Sequence, residues 1–359
     1  MTTTILGADY SIADKISRLE AEKIATKILS KTGFYAKQWD NFQARLENIL
    51  FERIMMARIK KAFRFMDDEA AAYAYLDKMR KDFASGRKGN FNIMTASSEG
   101  SFMDGGVVDM EDVQEVGGHH YGEPKKPVLL YVMGGGFILP PSPKQIKMVN
   151  GLAKACGCTA VFGKHRLAPE NPFPAACEDI ADQYENLLNT MPTGRIIVGA
   201  DTAGASILLG ALQKLRERKI NMPSGVLLFS PWCDLSLSGW SYVTRSTSSA
   251  SPFRMESAAF CARLYLDTAL ATDPKASPIF ADLDGFPRMC IHTSKHDMHF
   301  DDAVKLAENA HKASIYVKMN YWDTPRHHLE RLNTKDAANS FDLAAGFVDE
   351  CLAHYQAVV

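Results

Sequence analysis

Three side chains that could attack and release an acyl group follow one another at wide intervals: Thr202, Asp297 and His327. A hydroxyl is a weak nucleophile at neutral pH, because its proton must leave as the new bond forms. An imidazole in hydrogen-bond reach can take that proton. A carboxylate on the far side of the ring can hold its tautomer and balance the charge it gains. A glycine run supplies the other half of this chemistry. Met133-Gly134-Gly135-Gly136-Phe137 exposes successive backbone N–H groups, which can hold a developing oxyanion.

Such groups act only where elements position them. Ile196–Val198 is a short β-branched run that predicts a buried strand, and Ala203 to Leu215 has helix-forming composition. Between them lies a small-residue turn, Ala200-Asp201-Thr202-Ala203-Gly204. Strand, sharp turn and helix lift the central side chain above the end of a parallel sheet. Further strands are expected at 128–132, 159–162, 226–229, 289–292 and 315–319, with helices at about 143–155, 175–190, 203–218, 301–312 and 336–354. Strands alternating with helices predict an α/β fold: a mostly parallel central sheet flanked by helices. The glycine run, Asp297 and His327 each follow one of these strands, at the end where open α/β sheets place their sites.

The N-terminal part reads differently. Ile12, Ile16 and Leu19, then Trp39, Phe42, Leu46 and Ile49, fall at helical spacing. The expected organisation is a helical cap over 1–90 and a catalytic body over 91–359, with 235–275 as a second cap segment. The Met-, Phe-, Lys- and Arg-rich stretch 51–66 is read as a packing helix, since apolar stripes usually face a core. Residues 91–127 read as irregular first strands.

The chain is 46% hydrophobic and 23% charged with a formal net charge of −1. That composition suits a large globular core and gives no general attraction to nucleic acid or an anionic membrane. Met1 to Leu19 is polar and charged, so neither a signal peptide nor a membrane span is expected there. The seven scattered cysteines show no disulfide framework, which fits a reducing, cytoplasmic setting. No cofactor is expected: the three glycines lack the G-x-G-x-x-G spacing and later acidic residue of a dinucleotide site. The expected partner is a small apolar or acyl substrate.

Residues 125–355 resemble the hormone-sensitive-lipase-like branch of the α/β-hydrolases. The resemblance is carried by Val128-Leu-Leu-Tyr-Val-Met-Gly-Gly-Gly-Phe137, His165-Arg-Leu-Ala-Pro-Glu170, Phe173-Pro-Ala-Ala-Cys-Glu-Asp179, Ser230-Pro-Trp-Cys-Asp234 and Asp273-Pro-Lys-Ala-Ser-Pro278, with the Asp297 and His327 loops. It implies hydrolysis of carboxylic esters. Carried over by position, Thr202 is the nucleophile, His327 the base and Asp297 its orienter. The N–H groups of Gly134, Gly135 and Ala203 form the oxyanion hole. Met133, Phe137 and Asp201 are assigned to the substrate side, Asp201 also as a brace for the elbow.

Four positions depart from that pattern: Met133 where the family has histidine, Ala200 where it has glycine, Thr202 where it has serine, and His328 where it has glycine. A β-branched residue at a strained elbow limits χ1 and crowds the attacking oxygen. Three functions therefore stay open. The first is an ester hydrolase with a threonine nucleophile. The second is a non-hydrolytic enzyme performing elimination, cyclisation or isomerisation in the same pocket. The third is a silent small-molecule binder, in which Thr202 is a packing hydroxyl, His327 and Asp297 a structural pair and the glycines a tight turn. His296, Asp297, His299, Asp301 and Asp302 are not read as a metal site, because a helix N-terminus accounts for the acids after Phe300. Glu178 is expected to brace the loops.

Overall fold

Every residue of β1 (Val128–Val132) is buried. A run so apolar on both faces needs cover on both sides, and the neighbouring elements supply it. The other strands are β2 (Thr159–Phe162), β3 (Ile196–Asp201), β4 (Gly225–Phe229), β5 (Met289–Ser294) and β6 (Val317–Trp322). All pair in parallel, in the order β2-β1-β3-β4-β5-β6. The helices are α1 (Pro143–Ala155), α2 (Ala175–Leu188), α3 (Ala203–Glu217), α4 (Trp240–Thr244), α5 (Met255–Leu266), α6 (Phe300–Lys312) and α7 (Lys335–Val358).

The computed structural model describes residues 126–245, 254–332 and 334–358, together with Lys78, Arg80 and Lys81. The chain divides into two compact units, 1–97 and 98–359. In the first unit, the three described residues are helical. The cap expected over 1–90 otherwise lies outside the described residues, as do residues 91–125 of the irregular first strands expected over 91–127. Among the described residues no helix is long and apolar enough to cross a membrane. All seven cysteines are free.

One face of the sheet packs Leu129, Tyr131, Ile197, Leu227, Phe229 and Cys290 against Met148, Val149 and Leu152 of α1 and Ala344, Phe347 and Val348 of α7. Side chains alternate along a strand, so the intervening residues face the opposite layer. There α2 packs on α3, and α3 on β3 and β1. The helix α1 begins with Ser142 and Gln145 capping each other reciprocally, and Pro143 follows where no N–H is needed.

Two strands differ from expectation. The small residues Gly199, Ala200 and Asp201 stay in the ladder, with Ala200 opposite Val132 and Asp201 opposite Phe229. The turn is therefore confined to Thr202 itself. At the far edge, β6 starts at Val317. Ile315 instead ends α6: its N–H donates to Ala310 O at 2.9 Å, after Ser314 turns the chain at φ 59°. Its buried side chain belongs to the helix cap, a contact that sequence alone reads as the start of a strand.

The segment expected as a second cap piece packs onto the body at the glycine run. A Cβ added at Gly136 would meet Cys261 Sγ of α5 at 3.1 Å, and Tyr265 of α5 stacks on Phe137 at 4.0 Å.

Candidate active site

The turn between β3 and α3 leaves one residue in a conformation that L side chains rarely adopt: Thr202 has φ 49° and ψ −120°. Backbone of this kind costs about 1–3 kcal/mol and persists only where its surroundings hold it. Three hydrogen bonds do so here. Thr202 N–H donates to Phe229 O (3.1 Å), while Thr202 O accepts from Trp232 N–H (3.0 Å) and Ala205 N–H (3.1 Å). Close approach does the rest. A Cβ on Gly204 would lie 2.3 Å from Val132 O, so no larger residue fits where α3 meets β1.

The turn brings the three dispersed residues together. Thr202 Oγ1 lies 3.2 Å from His327 Nε2, and His327 Nδ1 lies 2.8 Å from Asp297 Oδ2. Thr202 is 4% exposed and Asp297 is fully buried. Burial alone would raise the Asp297 carboxyl. The neighbouring His327, its hydrogen bond, and His299 outweigh that and hold it well below the usual carboxylate range.

The glycine run contributes differently from expectation. The Gly134 N–H donates to Asp201 Oδ1 at 3.0 Å and has no proton left for an oxyanion. The N–H groups of Gly135, Gly136 and Ala203 have no acceptor among the described residues. Gly135 O accepts from Leu139 and Ile138, which fixes the turn at φ 58° for Gly136 and 68° for Phe137. The residues assigned to the substrate side each have protein neighbours. Met133 joins the core beside Tyr131 and Met148. Phe137 is 2% exposed, stacked on Tyr265 and set against Trp232. Asp201 is fully buried and turned toward Gly134, His328 and Arg331.

Several participants were not read from sequence. His299 donates its backbone N–H to Asp297 Oδ1 (3.1 Å), stacks on Trp232 and meets the edge of the His327 ring at 5.6 Å. Its Nδ1 lies 3.2 Å from Tyr242 Oη, and burial pushes the imidazole down to about 3, so it is neutral. Gln145 donates from Nε2 to Gly134 O at 2.7 Å. The pattern Ser142-x-x-Gln145 is a capping-box signal that marks the start of α1; the contact with Gly134 is tertiary and has no sequence signal. Glu178, expected to brace loops, pairs with Lys214 at 3.2 Å between α2 and α3. The neighbouring Asp179 holds a loop, accepting from Arg166 N–H at 2.7 Å.

Asp297, His299 and His327 also offer ligand atoms within 4.8 Å of one another. Two ligands of a tetrahedral zinc ion stand about 3.3 Å apart, given bonds of about 2.0–2.1 Å. The 2.8 Å contact between His327 and Asp297 is closer than that and is the spacing of a shared proton.

Comparison with known proteins identifies the fold. Residues 129–330 match the family described as alpha/beta hydrolase fold. An acetyl-hydrolase of Streptomyces hygroscopicus is 34% identical over 197 residues, which is 54% of this chain and 65% of that protein. An esterase of Acinetobacter venetianus is 30% identical over 192 residues, 53% of this chain and 63% of its own length. The chain thus spans less than two thirds of either relative. Among solved structures, EstE5 soaked with p-nitrophenyl butyrate superposes with a TM-score of 0.61 at 29% identity, over 65% of this chain and 79% of that one. EstE7, described as a hormone-sensitive-lipase homologue from a metagenome library, gives 0.60 at 30% identity over 63% and 79%.

Proposed function

This chain belongs to the α/β-hydrolase fold family, and from that premise we propose that it hydrolyses small to medium carboxylic esters with Thr202 as nucleophile. The observation that carries the reading is the line Thr202 Oγ1–His327 Nε2–Asp297, at 3.2 and 2.8 Å, raised on a backbone turn of φ 49°. Relatives named esterase and acetyl-hydrolase support the same chemistry.

Thr202 Oγ1 attacks the acyl carbonyl as its proton passes to His327 Nε2. Asp297 holds the opposite N–H of the ring and stabilises the imidazolium. The N–H groups of Gly135, Gly136 and Ala203 receive the oxyanion; Gly136 takes the place first assigned to Gly134. His327 then protonates the departing alkoxide. Water, losing its proton to the same ring, releases the acid and restores Thr202.

A non-hydrolytic reaction is favoured by one observation, the β-branched side chain at the strained turn, which crowds attack. One experiment separates the two. Wild-type protein is incubated with p-nitrophenyl acetate and quenched, and the mass of the peptide containing Thr202 is measured. An acetyl adduct on Thr202, absent from Thr202→Ala together with turnover, supports the ester reading. Turnover undiminished in Thr202→Ala would remove Thr202 as nucleophile.

A further inference from the structure

We propose that His328 is a positioning residue for this site: set between Asp201 and Glu330, it ties the glycine run to the loop that carries His327. Its kinetic consequences rest on the ester reading above; the tie itself rests on geometry.

Two loops flank Thr202, and one carboxylate reaches both. Asp201 Oδ1 accepts from Gly134 N–H at 3.0 Å, and Asp201 Oδ2 faces His328 Nε2 at 3.0 Å. Gln145 closes the first connection through Gly134 O. On its other side, His328 Nδ1 lies 3.2 Å from Glu330 Oε2. The His328 N–H donates to Ser230 Oγ at 3.3 Å, and its ring lies parallel to that of Phe229. His328 stands in the left-handed region at φ 59° and ψ 61°, so the backbone leaving His327 is held by these same contacts. Displacing a reacting group by about 1 Å can cost on the order of a hundredfold in rate. A tie that fixes both the oxyanion donors and the base therefore bears on turnover without touching substrate.

The ring must be charged to do this. A neutral imidazole has one N–H and satisfies one carboxylate; two carboxylates facing both nitrogens require two N–H groups. The contact from Nε2 is off the line of a good hydrogen bond, so charge rather than direction holds it. The surroundings balance. Asp201 and Glu330 are the anions, and His328 and Arg331, whose Nη2 lies 2.9 Å from Asp201 Oδ2, are the cations. The other ionisable groups facing the cluster are Tyr131, beside Asp201, and His292, which reaches Glu330 through Ser340. The His327 ring stands 6.1 Å away. Burial and Arg331 push the His328 imidazole down, and the two carboxylates more than reverse this, leaving it raised.

The single variant His328→Asn leaves two buried carboxylates against one cation and is expected to fold poorly. The double variant His328→Asn/Glu330→Gln removes one charge of each sign, and asparagine tolerates the left-handed backbone. It is expected to unfold close to the wild type. For p-nitrophenyl acetate its kcat should fall about ten- to hundredfold with KM within about twofold. The wild-type rate should also fall on the alkaline side as His328 loses its proton, and that limb should be missing from the double variant. Nitrogen NMR of histidine-labelled wild-type protein gives a readout independent of turnover. His328 should carry two N–H groups at pH 6.5, where an ordinary imidazole is about half protonated, and the His327 ring signals should move in the double variant. A neutral His328 at that pH, or a folded double variant with wild-type kcat, overturns the proposal. If the wild type cleaves no ester, the ester reading falls alone and the NMR decides: shifted His327 signals uphold the tie, and unchanged signals overturn it. If the double variant does not fold, the protonation state of wild-type His328 decides by itself.

Discussion

His327 and His328 are neighbours in the chain, their rings nearly perpendicular at 87°, yet they stand in opposite surroundings. The first faces a carboxylate on one side and a hydroxyl on the other. The second faces a carboxylate on each side. A ring between acid and alcohol can accept a proton and return it. A ring between two acids keeps its proton, because releasing it would leave two buried carboxylates against the single cation Arg331. The same residue type is thus a carrier at one position and a fixed charge at the next. Each region also holds a silent imidazole: His299 beside His327, and His292 linked through Ser340 to Glu330.

The sharpest way to break this comparison is to remove one carboxylate charge from each region. Asp297→Asn should lower kcat on the order of a thousandfold or more, because the imidazolium that forms in the reaction loses its support and its tautomer. Unfolding by urea should change less than when a carboxylate paired with a guanidinium is neutralised, since the partners of Asp297 are the His327 ring and the His299 N–H. Asp201→Asn should lower kcat less, by about ten- to hundredfold, and stability more. It leaves His328 and Arg331 without their shared anion, and breaking a buried pair typically costs about 3–5 kcal/mol. Equal losses of stability in the two variants would erase the distinction between carrier and fixed charge.

A smaller effect follows from pH. Burial pushes His299 down to about 3 and His292 to about 4. Below about pH 6.5 the unfolded chain protonates both while the folded chain does not, so stability falls as pH drops from there toward 4. Two such groups give a loss of roughly 4 kcal/mol between pH 7 and 5. Asp201, Asp297 and Glu330 are held below their usual range, so their contribution is present above about pH 4 and is lost as pH falls further. His328 works in the other direction: its contribution is complete below about pH 6.5 and is lost as pH rises through its raised folded value. Urea midpoints at pH 7 and 5 test the acid side, and His299→Leu should remove about half of the change. Midpoints that do not move would mean that neither ring is kept neutral by the fold.

Much of this is legible in the amino-acid sequence. β1 and α1 coincide with the apolar run at 128–132 and the helix expected at about 143–155. The elbow was readable from its small residues, and the three dispersed side chains from their places after strands. What sequence did not carry is which polar group is already occupied. Gly134 looks like its two neighbours, yet its N–H is taken by Asp201, because both lie at the ends of paired strands. His299 reads as one of several histidines near a helix start. Its role comes from Trp232 and Tyr242, brought in from a distant segment. His328 was visible only as an exception to glycine. Its meaning needs Asp201 and Glu330 on either side.

The smallest predicted effect tests the carrier line alone. Thr202 sits at φ 49°, where a β-branched side chain has few χ1 choices and its methyl competes for space with an incoming acyl group. Thr202→Ser keeps the hydroxyl 3.2 Å from His327 Nε2 and removes that methyl. In the ester reading, kcat/KM for p-nitrophenyl acetate should rise about tenfold, a barrier change of about 1.4 kcal/mol. Stability should stay within about 1 kcal/mol, because the buried methyl lost is worth about 0.8 kcal/mol and relief of strain offsets part of it. The His328 cluster touches neither the methyl nor the hydroxyl, so the alkaline limb of the rate profile should keep its position. A serine variant slower than the wild type would mean that the methyl shapes the reacting geometry rather than obstructing it. Threonine would then be the residue this site requires, and the chemistry would shift toward the non-hydrolytic reaction.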